Sequence, residues 1–97
     1  MAAGQPARGK INAVAKVTMY LTGACPYCVM AERLLVSKGV AIDKIRVDLE
    51  PGRRNEMMTR TGRRTVPQIY VGDKHVGGYD DLSQLDREGA LDPLLAA

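Results

Sequence analysis

At 97 residues the chain can build one hydrophobic core but not two, so its apolar segments must share a single domain. Charged residues at 26% and apolar residues at 45% exclude global disorder, and a net charge of +3 with four Tyr, no Trp and no Phe is too mild and too poor in stacking platforms for a nucleic-acid binder. No stretch approaches the length and apolarity of a membrane span.

Met1 to Ala15 lacks the continuous apolar run of a signal peptide. It reads as a flexible N-terminal extension ahead of a domain over 16–97, although Ala7-Arg8-Gly9-Lys10, in a stretch without acidic side chains, also fits a weak organelle-targeting arm. A cytoplasmic protein is expected. Lys16 to Leu21 alternates in character and carries β-branched and aromatic residues, which predicts a half-buried strand. Thr22-Gly23-Ala24 then reads as a tight turn.

A helix is predicted from Pro26, whose missing N–H costs nothing at the first helical position. Tyr27, Met30, Ala31, Leu34 and Leu35 recur at helical spacing as its inner face, with Glu32, Arg33 and Lys38 largely opposite. This places Cys25 at the N-cap, facing the free N–H groups of Tyr27 and Cys28. The positive end of the helix dipole stabilises an anion there, so Cys25 should ionise well below the free-thiol value of about 8.5. Cys28 lies one turn further in and more covered. Cys25 is therefore the expected nucleophile, and Cys28 the thiol that resolves a mixed disulfide or closes the internal one. Two packing cysteines, or half of a zinc site, are the alternatives; His75 is the only further soft ligand, and no metal is expected.

Lys38-Gly39 should end this helix. A second strand over Asp43 to Asp48, with Ile45 and Val47 inward, would run parallel to the first because a helix joins them. Leu49-Glu50-Pro51-Gly52 breaks it. A second helix is predicted over Arg53 to Thr61, with Met57 and Met58 toward the core and Gly62 as its stop. Arg53, Arg54, Arg60, Arg63 and Arg64 crowd this region. They read either as a solvated face or as forks for an anionic ligand, with Arg60 the foremost candidate because it sits in the last turn. Thr65 to Val71 leads into a third strand, Gly72-Asp73 into a hairpin turn, and Lys74 to Gly77 forms a fourth strand. Pro67 belongs at a strand start or edge, and a trans bond before it is the ordinary expectation. His75 reads as a surface residue without chemistry. Gly77-Gly78 permits close backbone approach, and Asp80 and Asp81 can cap a helix through Leu82, Leu85 and Glu88 that ends at Gly89. Asp92-Pro93 starts a short turn whose Leu94 and Leu95 pack on the sheet.

Cys25-Pro26-Tyr27-Cys28, Thr65-Val66-Pro67 and Gly77-Gly78-Tyr79-Asp80-Asp81, in this order and spacing, resemble the glutaredoxins. Leu91-Asp92-Pro93-Leu94-Leu95 resembles the end of the bacterial dithiol type. The resemblance implies an α/β thioredoxin fold, a four-stranded mixed sheet flanked by helices in the order β-α-β-α-β-β-α, and a cis bond before Pro67. It implies a glutathione-dependent thiol-disulfide oxidoreductase that reduces protein disulfides and glutathione mixed disulfides, with glutathione as reducing co-substrate. The partners implied are glutathione and disulfide-bearing or glutathionylated proteins, ribonucleotide reductase among the candidates, met by a monomer. By the same resemblance the Val66 backbone pairs with the cysteine of glutathione as an added strand, within the Thr65-Val66-Pro67 motif. Tyr79, Asp80 and Asp81 hold its γ-glutamyl end, with Gly78 among the glutathione-binding residues beside them, Tyr27 flanks the sulfur, and Thr59 contacts its glycine carboxylate, with Arg60 adjacent as a further glutathione-binding candidate. The chain departs from the family in having Thr22 where many members carry a lysine, so Lys16, Arg60 or another arginine would have to compensate, or binding would be weaker. Two other uses of the fold are a thioredoxin-like redoxin reduced by a flavoprotein and an iron-sulfur carrier ligated by Cys25 and glutathione.

Overall fold

The computed structural model describes residues 15–96. The extension expected over residues 1–15 lies, up to residue 14, outside the described residues; Ala15 itself donates its N–H to the Leu95 carbonyl at 3.2 Å. The elements are β1 (Val17–Leu21), α1 (Pro26–Ser37), β2 (Ile42–Arg46), α2 (Arg53–Thr61), β3 (Gln68–Val71), β4 (Lys74–Gly77), α3 (Tyr79–Arg87) and α4 (Leu91–Ala96). The sheet order is β2-β1-β3-β4, with β1 parallel to β2 and antiparallel to β3, and β3 antiparallel to β4. The expected thioredoxin fold is present.

Alternation along β1 decides which helix packs where, since successive side chains leave opposite faces of a strand. Val17, Met19 and Leu21 share one face with Ile69 and Val71 of β3, and this face is covered by α1, α3 and α4 through Ala31, Leu35, Leu82, Leu91 and Leu95. Tyr20 and Tyr70 leave the other face, where Met57 of α2 and Val47 cover them. Burying each such large side chain contributes on the order of 1.5–3 kcal/mol, so a chain this short relies on nearly all of them. β2 is an edge strand with Asp43 and Lys44 exposed, which protects the edge with charge.

Several expectations shift in detail. The buried face of α1 is Cys28, Ala31 and Leu35, while Tyr27 and Met30 are 58% and 41% exposed. The two sets lie about 100° apart on the helix, and the sheet takes the one that carries Cys28. β2 ends at Arg46 rather than Asp48, and Val47 reaches the core from the turn that follows. β3 begins after Pro67, at Gln68. Asp80 and Asp81 do not precede α3 but occupy its first turn, behind an N-cap at Gly78. The C-terminal turn is a short helix, α4, whose fully buried residues are Leu91 and Leu95, with Leu94 half-buried. Lys38 is the C-cap of α1 and bridges Asp86 at 2.6 Å and Asp92 at 2.8 Å, tying α1 to α3 and α4.

Candidate active site

β1 delivers the chain to a short loop and α1 takes it away, so Cys25 lies at the sheet's end with helical N–H groups ahead of it. Its backbone is extended (φ −139°, ψ 100°), as an N-cap requires, and its Sγ accepts the Cys28 N–H at 3.1 Å. Cys25 is half-buried, whereas Cys28 is 2% exposed. The two are joined as a disulfide with Cα atoms 5.2 Å apart. The loop before Cys25 is anchored from β2's end: Gly23 N–H donates to Asp48 at 3.1 Å, and Arg46 grips the same carboxylate with two bonds of 2.8 Å. That fork holds the Asp48 carboxyl far below the usual carboxylate range.

Across from Cys25, the Val66–Pro67 bond is cis and the Val66 carbonyl oxygen lies 3.8 Å from the Cys25 sulfur. From there a cleft of about 360 Å³ opens, lined by Tyr27, Arg63, Thr65, Val66, Pro67, Gly78, Tyr79, Asp80 and Asp81. The rings of Tyr27 and Tyr79 stack across it, 6.2 Å between centroids. Asp81 accepts the Gly78 N–H at 3.0 Å and the Arg63 guanidinium at 3.0 Å, and these two donors hold its carboxyl below the usual range, the Gly78 bond first. A larger hollow of about 540 Å³, bounded by Ala15, Lys16, Val40 and Asp43, lies at the opposite end of β1, far from the sulfurs.

A glutaredoxin family model matches residues 17–76. The chain belongs to the glutaredoxin family. It is 55% identical over 80 residues to a glutaredoxin of Neisseria meningitidis, covering 81% of this chain and 94% of that one. It is 49% identical over 82 residues to glutaredoxin 3 of Escherichia coli, covering 84% and 99%. Among solved structures, a buckwheat glutaredoxin–glutathione complex superposes with a TM-score of 0.78 at 30% identity, covering 84% and 76%. Membership makes the chain a thiol-disulfide oxidoreductase with a Cys25–Cys28 pair of the dithiol type.

Of the ten non-cysteine residues singled out by resemblance, eight line the one cleft and two do not. Thr59 is exposed outside its lining. Arg60 turns to the α2 face of the sheet, where it donates to the buried Tyr20 hydroxyl at 2.8 Å and lies 4.1 Å from the centre of the Tyr70 ring. Tyr20 in turn donates to Glu56 at 2.6 Å. Buried aromatic surface and a phenol oxygen together hold this guanidinium more firmly than an open cleft does. The cleft's arginine is Arg63, one turn further along, carried there because Gly62 ends α2 in a left-handed conformation (φ 72°) and Thr61 Oγ1 accepts the Arg63 N–H at 3.0 Å. Gly62 followed directly by an arginine was the available signal. Lys16 pairs with Asp43 at 3.6 Å, at the far end of β1 from Cys25.

The depressed Asp81 carboxyl has a stability consequence. A group whose folded pKa lies below its unfolded value of about 3.9 contributes above that pH and loses the contribution as pH falls through the folded value. Asp81→Asn keeps an acceptor for Gly78 but removes the charge facing Arg63. Its melting temperature should therefore fall less than the wild type's between about pH 4 and pH 2. Parallel acid profiles would show that Gly78 and Arg63 do not hold the carboxyl below its ordinary range.

Proposed function

We propose that this glutaredoxin uses glutathione to reduce glutathione mixed disulfides and protein disulfides. The carrying observation is the continuity of sulfur and cleft: the Val66 edge stands 3.8 Å from Cys25, and the same cleft runs on to the Asp81 end of α3. A tripeptide laid as an added strand along Val66 meets three kinds of partner there. Its cysteine sulfur reaches Cys25, its γ-glutamyl ammonium finds Asp80 and Asp81 beside the first N–H groups of α3, and a carboxylate finds Arg63. The buckwheat glutaredoxin, solved as a glutathione complex, supports this reading. Arg63 also answers for the lysine that Thr22 replaces, since it brings a positive charge to the cleft from the opposite wall.

The chemistry is a pair of exchanges. With the pair reduced, Cys25 is the thiolate, its charge met by the Cys28 N–H and the dipole of α1. It attacks the glutathione sulfur of a mixed disulfide. A Cys25–glutathione bond forms, the substrate's S–S bond breaks, and its electron pair leaves on the released thiolate, which takes up a proton. A second glutathione thiolate attacks the bound glutathione, giving oxidised glutathione and the Cys25 thiolate. With a protein disulfide, Cys28 instead attacks the mixed disulfide on Cys25, expels the substrate as a dithiol and leaves the pair oxidised until two glutathiones reduce it.

The two routes separate in one variant. Cys28→Ser should keep turnover on a glutathionylated peptide and lose turnover on a protein disulfide, both measured with glutathione as reductant. Loss of both reactions would contradict this division, and wild-type turnover indifferent to glutathione but sustained by a flavoprotein reductase would overturn the proposal.

A further inference from the structure

His75 was expected to be a surface residue without chemistry, yet it ends a hydrogen-bonded chain that runs into the cleft wall. The register of β3 and β4 changes between Ile69 and Tyr70, so that Ile69 faces Gly77 but Tyr70 faces His75. The regular pairing next to the turn, Val71 with Lys74 and Tyr70 with His75, sets His75 on the face shared by Tyr70 and Gln68; the register change lies beyond it, at Val76 and Gly77. There its ring lies 5.1 Å from that of Tyr70, and its Nε2 is 2.7 Å from Gln68 Oε1. Gln68 is fully buried. Its Nε2 donates to the Thr65 carbonyl at 3.0 Å and to Thr65 Oγ1 at 3.3 Å.

Each link dictates the next. A backbone carbonyl only accepts, so Thr65 requires the NH₂ side of the Gln68 amide, and this turns Oε1 toward His75. Oε1 also only accepts, so His75 must carry its proton on Nε2. Burial lowers the His75 pKa, with Arg63 adding to the effect, so the ring is neutral near pH 7. Without the histidine donor, Oε1 would be an unpaired acceptor in a fully buried position, and the amide would lose its fixed orientation.

We propose that His75 and Gln68 are positioning residues for the cleft: acting through the Thr65 carbonyl, they set the pose of the Val66 edge against which substrate lies. This rests on the reading of the cleft as a glutathione groove. The expected effect is on binding, because the relay touches the wall and not the sulfurs.

The test measures KM and kcat on a glutathione mixed disulfide of a short peptide for the wild type, His75→Phe, His75→Gln and Gln68→Met, together with the Val66 amide signal of each free protein. Phenylalanine keeps a ring on Tyr70 but cannot donate, whereas glutamine restores a donor at similar reach. His75→Phe should raise KM by about five- to tenfold with kcat within about twofold, and His75→Gln should return KM to within about twofold of wild type. Gln68→Met, which fills the same space without either bond, should reproduce the KM rise from the other end of the relay. The Val66 amide should shift in the Phe and Met variants and not in the Gln variant. An unchanged KM in His75→Phe or Gln68→Met, or equal effects of Phe and Gln at position 75, would overturn the proposal and leave the two residues as packing alone. A wild type that does not act on the mixed disulfide would overturn the glutathione reading and this inference with it, an outcome visible in the wild-type arm alone.

Discussion

Cys25→Ser should bring turnover down to the uncatalysed background on glutathione mixed disulfides and protein disulfides alike, while the fold survives. Both halves follow from the same position. Serine is among the best N-cap residues, so its hydroxyl can accept the Cys28 N–H now held by the sulfur at 3.1 Å, and α1 keeps its start. A hydroxyl at a helix N-terminus remains un-ionised near neutral pH, however, and forms no exchangeable bond to sulfur. The deep Cys28 thiol, 2% exposed, cannot take over the attack. Initial rates with saturating glutathione, alongside a circular dichroism melt, check the two halves together. A rate comparable to the wild type's would place the nucleophile elsewhere, and a collapsed melt would show that the sulfur holds the helix start in a way an oxygen cannot.

Gly77→Ala should damage stability and substrate binding together. Gly77 sits at φ 117°, a region open to glycine and costly for other residues, by about 1–3 kcal/mol. A methyl carbon added there would also stand 2.8 Å from the carboxyl carbon of Asp81 and 3.1 Å from its Cβ, with an Oδ oxygen closer still. Asp81 would have to swing away, giving up the Gly78 N–H and Arg63 together. Strain and lost bonds combine to a loss of more than about 2 kcal/mol in unfolding free energy, with KM for a glutathionylated peptide rising beside it. Urea unfolding and steady-state kinetics on one preparation measure both. Gly72→Ala is the control: Gly72 also has positive φ (60°), but nothing lies within 4 Å of an added carbon, so it should be less destabilising and leave KM unchanged. Equal effects at the two positions would mean that the collision with Asp81 is not what matters at Gly77.

The difference between these two glycines illustrates what a one-dimensional reading could reach. The sequence marks Gly72 as a turn glycine and Gly77, at the end of a strand, as one that permits close backbone approach, but says nothing of what approaches either. Only the fold places the first turn of α3 against one of them and open space against the other. The same division holds for the arginines. That Gly62 stops α2 is local, set by spacing and by the steric freedom of one residue. That Arg60 turns to Tyr20, 40 positions away, while Arg63 turns to Asp81, 18 positions away, depends on which sheet face α2 covers.

By itself the amino-acid order determined most of what is governed by neighbours three or four residues apart, though not the N-cap of α3, which is Gly78 rather than an aspartate. Within that reach lay the strand leading to Cys25, its place at the start of α1 with Pro26 behind it, the order of the other elements except the short α4, and three motifs specific enough to name the family before any coordinates. Tertiary structure alone decided which stripe of α1 faces the sheet, which arginine enters the cleft, and that His75 reaches Thr65 through a buried amide. The physical reason is range. Helix caps and turns are set by backbone geometry over a few bonds, whereas these three outcomes depend on which sheet face each helix covers and on which strand residues lie opposite one another, as Tyr70 does His75.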